Sequence, residues 1–197
     1  MPIFTDLVNK GRTNAQSPGF IDSRDWFREK AQMVRQVNTN SLINAHREYN
    51  KAMVLPGFMY CFTYDAKYKD TLPYYDRFPL IFPFKMEADS FLGMNMHYLP
   101  LMYRARLMDA LYGVATNQRF DDKTRLRISY DLLNSSAKYK YFEPCVKRYL
   151  KSHVKSRFLM IPSNEWDIAL FLPMERFTIN KNKVYQDSMN KIRGIKT

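Results

Sequence analysis

The stretch from Gly57 to Pro100 constrains the fold of this chain more than any other. It reads GFMYCFTYDAKYKDTLPYYDRFPLIFPFKMEADSFLGMNMHYLP, with aromatic residues, prolines and strand-forming residues packed close together. Such a segment is typical of buried strands or of an interface, because it carries too little flexible polar sequence to stay disordered. It contains no recognisable catalytic motif, which favours a function in shape and binding over chemistry.

Three short strands are predicted inside this stretch, over residues 58–64, 79–85 and 91–98. A polar loop at Glu87–Ser90 joins the last two. Proline cannot donate a hydrogen bond to a sheet, so Pro79 and Pro83 mark strand edges or bulges. The pattern predicts a small, strongly curved antiparallel sheet, with an SH3-like barrel as one form that such a sheet takes.

Helices are predicted on both sides of this β module, which makes the fold class α+β. Ser23 caps one predicted helix, and a weaker one covers residues 41–51. After Leu101 the apolar spacing changes to a helical period, and helices are predicted up to Gly113, over 123–134 and from about Phe142 to Phe158. A short strand follows at 158–161. The predicted organisation is an N-terminal arm (1–22), a single globular α+β domain (23–177, β-rich over 57–100 and helical over 101–158) and a basic C-terminal tail or helix (178–197).

The charge of the chain is strongly positive and unevenly distributed. The formal net charge is +12, and 19 of the 31 Lys and Arg residues lie after position 100, against 9 of the 19 Asp and Glu residues. A balance this basic indicates an anionic partner such as nucleic acid, an acidic protein surface or an anionic membrane. The basic surface is therefore expected from the C-terminal half.

The most basic predicted element is the helix over 142–158. Lys147, Lys151 and Lys155 fall four residues apart, opposite an apolar stripe. Phosphate contacts through such a stripe are non-specific and salt-dependent, whereas the alternative is a solvated helix face. Tyr139, Tyr141 and Tyr149 interleave with cations and are candidates for stacking on bases, or else core residues. The candidate DNA-binding residues are Lys147, Arg148, Lys151, Lys155, Arg157, Arg125 and Arg127.

The aromatic stretch offers a second candidate surface. Aromatic side chains suit a permanent interface, and the alternative is that they form the core of the β module. The candidate protein-interaction residues are Tyr74, Tyr75, Phe78, Phe82 and Phe84.

Catalytic, metal and cofactor sites are not expected. His97 has no nucleophile or ligand partner in its sequence surroundings and is interpreted as a structural histidine. Asp76, Lys85 and Glu87 fit a metal-dependent nuclease only loosely, because the spacing is generic. The two cysteines, Cys61 and Cys145, lack metal-ligand spacing and are expected to be buried free thiols.

A membrane location is not expected either. No apolar run approaches the roughly 20 residues that a membrane helix requires, and the first residues resemble neither a signal peptide nor a span. The chain is expected to be soluble.

Several strings resemble a family of small proteins of T4-like tailed phages, including marine myoviruses. They are RDWFREKA (24–31), YDAKYKDTLPYYDRFPLIFPF (64–84), GMNMHYLP (93–100) and EWDIALFLPMERF (165–177). The resemblance spans most of residues 23–177 and is closest to the DNA end protectors. It implies a non-enzymatic virion protein, present in host cytoplasm during assembly, whose partners are DNA and other phage virion proteins. It implies no cofactor and no small-molecule substrate.

Three functions remain open from the sequence. The first is a protein that binds DNA or genome ends and protects them sterically. The second is a structural subunit of the phage neck, tail or baseplate whose basic surface meets acidic neighbours. The third, and least favoured, is a metal-dependent nuclease.

Overall fold

The computed structural model describes residues 3–13, 50–163 and 174–195, together with Trp166 and Ala169. The helix predicted to start at Ser23 lies outside the described residues. So does most of the helix predicted over 41–51, and the part that is described, Asn50–Lys51, forms a strand instead.

Helices and one sheet make up the described chain, which confirms the α+β class. The α-helices with defined bounds are α1 (Ile3–Thr13), α2 (Leu101–Ala115), α3 (Asp122–Ser136) and α4 (Lys181–Arg193). The strands are β1 (Asn50–Lys51), β2 (Met59–Cys61), β3 (Leu80–Met86), β4 (Ser90–Asn95), β5 (Val146–Leu150) and β6 (Phe158–Ile161). Short 3-10 turns cover Met96–Tyr98, Glu143–Cys145 and Lys151–His153.

The strands form a six-stranded sheet in the order β1-β6-β2-β3-β4-β5, and every pairing is antiparallel. The three strands predicted in the aromatic stretch are confirmed as β2, β3 and β4. Pro83 sits where the register of β3 against β4 shifts, which confirms the expected bulge. The narrower expectation of an SH3-like barrel stays a prediction.

The two faces of the sheet bury different cores. Met59 and Cys61 of β2 pack with Leu80 of β3 in a core shared with the helices. The intervening Tyr60 and Ile81 belong to a second, largely aromatic cluster on the other face. This separation follows from the alternation of side chains along a strand. In the second cluster, the members with ring centroids 5.0–6.3 Å apart are Tyr60, Phe62, Tyr64, Phe91, Tyr149 and Phe158.

Ile3–Thr13, which lies within the predicted N-terminal arm, is helical. Phe4 and Val8 are buried in the core against α2. Backbone N–H groups of Phe4 and Thr5 donate to the two carboxylate oxygens of Asp109, at 2.7 and 2.9 Å. A carboxylate at this end of a helix satisfies its unpaired N–H groups. Here that carboxylate comes from α2, so the local sequence did not reveal it.

The helix predicted from Phe142 to Phe158 is wrong. Val146–Leu150 is an edge strand that pairs with Met94–Ser90 of β4, and extended chain and a 3-10 turn lead on to β6. Tyr149 is buried in the aromatic cluster. Pairing with β4 and burial of this ring outweigh the helical spacing of the lysines, since strand formation depends on neighbours distant in sequence.

The basic C-terminal segment forms α4, one of the two forms predicted for it. Val184, Ser188 and Ile192 recur at intervals of four and are buried, so this helix is docked on the core. The Ser188 hydroxyl donates to the carbonyl of Tyr98 at 2.7 Å. Gly194 closes the helix in the left-handed conformation.

Both cysteines are buried free thiols, as expected. Burial raises the pKa of the Cys145 thiol to about 12, and also raises the pKa of Cys61. Among the described helices, none is long and apolar enough to span a bilayer.

Candidate nucleic-acid interface

The strongest basic feature of the chain is a segment without acidic residues between Glu143 and Glu165. It runs along edge strand β5, through the 3-10 turn Lys151–His153 and into β6. Four of its cationic side chains are exposed and the fifth, Lys147, is half-buried. We call this set the basic edge; it consists of Lys147, Arg148, Lys151, Lys155 and Arg157.

Two members of the basic edge hold the turn between β3 and β4. The Lys151 ammonium donates to the carbonyls of Glu87 and Ala88 at 2.6 and 2.9 Å. The Arg148 guanidinium contacts the Glu87 carboxylate. A hydrogen bond from Ser90, followed by the charge of Arg148, holds the pKa of Glu87 below its usual range. Part of the charge of Arg148 is therefore neutralised within the protein.

Lys155 and Arg157 continue the basic edge beyond this turn. Both side chains are exposed, and the backbone N–H of Lys155 donates to the carbonyl of Thr63 at 2.8 Å. This bond, with the bridge between Tyr64 and Val154, fixes the extended chain beside the segment that follows β2. The two cations are thus displayed from an ordered backbone.

Lys147 is in a different environment. Its ammonium lies 4.0 Å from the ring centroid of Tyr98, a cation–π contact. Burial, helped by the nearby charge of Lys191 on α4, lowers the pKa of Lys147 to about 8. This amine therefore changes charge close to neutral pH.

A pocket of about 340 Å³ lies between β5 and the segment that follows β2. Its cationic lining side chains are Lys67, Lys147 and Arg148. Its one acidic lining residue, Asp76, is 2% exposed and already accepts several hydrogen bonds. We call this cavity the tyrosine pocket, after Tyr64, Tyr68, Tyr74, Tyr75, Tyr98 and Tyr149 in its wall.

The two arginines predicted on α3 do not share this pocket. Arg125 pairs with Asp122 at 3.4 Å and donates to the carbonyl of Phe120 at 2.9 Å. It lines a separate cavity beside Gly57, and Arg127 is exposed on the same helix. The structure thus divides the candidate DNA-binding residues between α3 and the basic edge.

The proposed aromatic interaction residues are also divided. Phe78, Phe82 and Phe84 are at most 4% exposed and belong to the core, which was the alternative interpretation. They are unable to contact a partner in this conformation. Tyr74 and Tyr75 are half-buried and line the tyrosine pocket.

Asp76 and Glu87, two of the residues considered for nuclease chemistry, have other contacts, while Lys85 Nζ lies 3.7 Å from Glu87 Oε1. Asp76 bonds to His97 inside the protein, while Glu87 contacts Arg148 at the surface. In the described ranges, no group of three or more His, Cys, Asp or Glu side chains is arranged to hold a metal ion.

The sequence interpretation missed Lys67 and Tyr68. A signal was present, because the tripeptide Lys-Tyr-Lys occurs at 67–69 and again at 138–140. Only the second copy was considered for stacking. Tyr68 and Tyr139 are 60% and 62% exposed, but Tyr68 lines the tyrosine pocket and Tyr139 does not.

A family model described as phage T4 terminal DNA protecting protein matches residues 7–192, almost the whole chain. Neither the curated proteins nor the solved structures provide a significant match.

Proposed function

The chain belongs to the family of phage T4 terminal DNA protecting proteins, and on that premise we propose that it binds the ends of phage DNA and shields them sterically. The observation that carries this proposal is the basic edge. Its five cations lie in a segment of 21 residues, 144–164, without a single carboxylate side chain. A DNA end combines a dense array of phosphates with an exposed terminal base pair, and the basic edge is suited to the phosphates.

Lys155 and Arg157 are the principal phosphate contacts in this proposal. Both are exposed, and their backbone is ordered by the contacts of this segment with Thr63 and Tyr64. Contacts of this kind position a protein on DNA without reading its sequence. This suits a protein that must cover an end whatever its sequence.

Protection follows from occupancy in this mechanism and needs no bond-making step. An exonuclease has to reach the terminal nucleotide, and a protein bound there excludes it. The family description names protection and no catalytic activity. The protein then acts as a virion-associated component, assembled in host cytoplasm, that stays on the DNA end beside other virion proteins.

The test is the affinity for a linear duplex measured across salt concentration. A protein that neutralises Z phosphates gives a log–log slope of about −0.9Z, and tight binding is expected at about 50 mM salt. The double variant Lys155→Ala/Arg157→Ala should make the slope shallower by about 1.8. Lys138→Ala/Arg193→Ala removes the same charge from exposed positions elsewhere and should leave the slope almost unchanged.

Protection is read in the same reactions by adding an exonuclease. The protein should preserve the linear duplex, and preservation should decline with the affinity of the variants. Absence of binding at about 50 mM salt would reject the proposal and favour a neck, tail or baseplate subunit that meets acidic proteins. Cleavage of DNA on addition of Mg²⁺ or Mn²⁺ would favour the nuclease.

A further inference from the structure

We propose that the tyrosine pocket receives the terminal nucleotide of a DNA strand. This inference rests on the proposed function and deepens it, since it explains how an end is distinguished from the middle of a duplex. The basic edge recognises phosphates, which are the same along the whole length of DNA. A preference for ends requires a second contact that only an end can make.

The size of the pocket fits one nucleotide. A volume of about 340 Å³ is at the lower end of the range of about 300–1,000 Å³ for small-ligand pockets. A double helix does not enter such a cavity, but a single unstacked nucleotide does. The pocket therefore selects a nucleotide that has left the duplex.

Several aromatic rings that line the pocket are held in place by hydrogen bonds and packing. The Tyr64 hydroxyl accepts a bond from the backbone N–H of Leu150 at 3.2 Å, and the Tyr149 hydroxyl accepts one from Asn95 Nδ2 at 3.0 Å. Tyr98 is 4% exposed and stacks with Tyr74 at 6.1 Å between centroids. Rings held in this way are preorganised, so binding costs little ordering of these side chains.

Tyr68 and two lysines line the same pocket. Tyr68 is exposed, and its ring, which has Lys67 Nζ 5.2 Å from its centroid, offers an aromatic surface to a base. Such stacking tolerates any base because every base has a π-face. Lys67 and Lys147 supply positive charge, and within the described part of the chain neither forms an ion pair. A base against the exposed Tyr68 ring and a phosphate beside the lysines match these two kinds of side chain.

The free-energy cost of moving a nucleotide out of the duplex is lower at an end than within internal DNA. Extruding a base from a duplex costs a few kcal/mol, and least where the base is already unpaired. A terminal nucleotide stacks on one side only and is followed by no further phosphate–sugar chain to distort. A pocket that binds an extruded nucleotide should therefore bind DNA ends more tightly than internal DNA.

The experiment compares two tyrosines from identical tripeptides on two DNA forms. Tyr68→Ala alters the pocket, and Tyr139→Ala is the matched control because its side chain is almost equally exposed and is flanked by lysines in sequence. Affinities are measured for a linear duplex and for a covalently closed circle of the same sequence. The wild-type protein should bind the linear form more tightly. Tyr68→Ala should weaken binding to the linear form by at least about fivefold and leave the circle unchanged, while Tyr139→Ala should change neither.

Each other result is informative. If Tyr68→Ala leaves the linear affinity unchanged, or if Tyr139→Ala weakens it equally, the pocket proposal is overturned while DNA binding stands. Equal weakening on the linear and circular forms would also overturn it, because the ring would then contact DNA without recognising an end. If the wild-type protein binds neither form, both this inference and the proposed function fail.

Discussion

Nδ1 of His97 lies 2.6 Å from Oδ2 of Asp76, with both side chains at most 1% exposed. The Asp76 carboxylate also accepts hydrogen bonds from Asn95 Nδ2 at 3.2 Å and from the backbone N–H groups of Phe78 and Arg176, each at 3.0 Å. One buried carboxylate therefore joins the segment before β3, the end of β4 and the segment before α4. The histidine has a structural role here, which agrees with the sequence interpretation.

Replacing Asp76 with asparagine should cost about 3–5 kcal/mol of unfolding free energy, since removing one partner of a buried pair strands the other. The asparagine amide would also place a donor against groups that already donate. Urea unfolding of the wild-type protein and the variant measures this difference. Asp131→Asn, at an exposed position on α3, is the control and should change stability little. A loss below about 1 kcal/mol for Asp76→Asn would contradict the proposed importance of this network.

Protonation of the same carboxylate should lower the free energy of unfolding in acid. Burial on its own would raise the pKa of Asp76, but attraction to His97 and hydrogen bonds from His97, Arg176 and Phe78 outweigh burial and hold the pKa below its usual value. An aspartate in an unfolded chain has a pKa of about 3.9. Its contribution to stability is therefore fully present above that pH and is lost as the pH falls through the lower folded-state pKa.

Unfolding free energies measured from pH 6 down to pH 3 test this dependence. The wild-type protein should lose stability more steeply than Asp76→Asn at the acid end, so the gap between them should narrow. Parallel curves for the two proteins would show that Asp76 does not carry the effect.

The packing of Gly57 against α3 can be tested by comparing its substitution with that of Gly194. Both glycines have a positive φ, but only Gly57 lines the cavity beside α3. Gly57 has a φ of 85°, and a Cβ there would lie 3.1 Å from Ser129 Cβ and 3.2 Å from Leu126 Cδ1. Gly194 has a φ of 72°, but a Cβ there would meet nothing within 4 Å. Gly194→Ala should cost about 1–2 kcal/mol from backbone strain alone. Gly57→Ala should cost about 1–3 kcal/mol more, because α3 must also move. If thermal or urea unfolding shows that both variants lose the same free energy of unfolding, α3 moves away from the added Cβ at no measurable cost.

The parts of the fold that the sequence predicted correctly are those set by local patterns. Strands β3 and β4 are runs of strand-forming residues joined by a polar turn, and α3 begins close to the predicted start, where Asp121 accepts a hydrogen bond from the N–H of Thr124. The family resemblance read from the aromatic strings is likewise confirmed by the family match. Such features need no knowledge of distant neighbours.

The parts that were wrong depend on distant contacts. Lys147, Lys151 and Lys155 recur at a helical interval, yet β5 is a strand because β4, more than 50 residues earlier, supplies its hydrogen bonds. The tyrosine pocket is similarly assembled from the segment after β2, from Tyr98 and from β5. No local pattern brings these together: the Lys-Tyr-Lys tripeptides at 67–69 and 138–140 are identical, and only the fold places Tyr68 in the pocket and Tyr139 outside it.

If the protein binds DNA ends as proposed, the lowered pKa of Lys147 should make that binding sensitive to pH. Burial and the charge of Lys191 bring this pKa to about 8, so the amine is mostly charged at pH 7 and mostly neutral at pH 9. Loss of a cation from the pocket should weaken affinity for the linear duplex by up to about tenfold over that range. The neighbouring Cys145 and Tyr98 should contribute little, because burial raises the pKa of Cys145 to about 12 and raises that of Tyr98 further.

Arginine remains charged across this range, so Lys147→Arg should remove most of the pH dependence. Lys138→Arg, at an exposed position outside the pocket, should retain it. Binding curves at pH 7, 8 and 9 at constant ionic strength provide the measurement. An undiminished pH dependence in Lys147→Arg would assign the titration to another group and remove Lys147 from the contact with DNA.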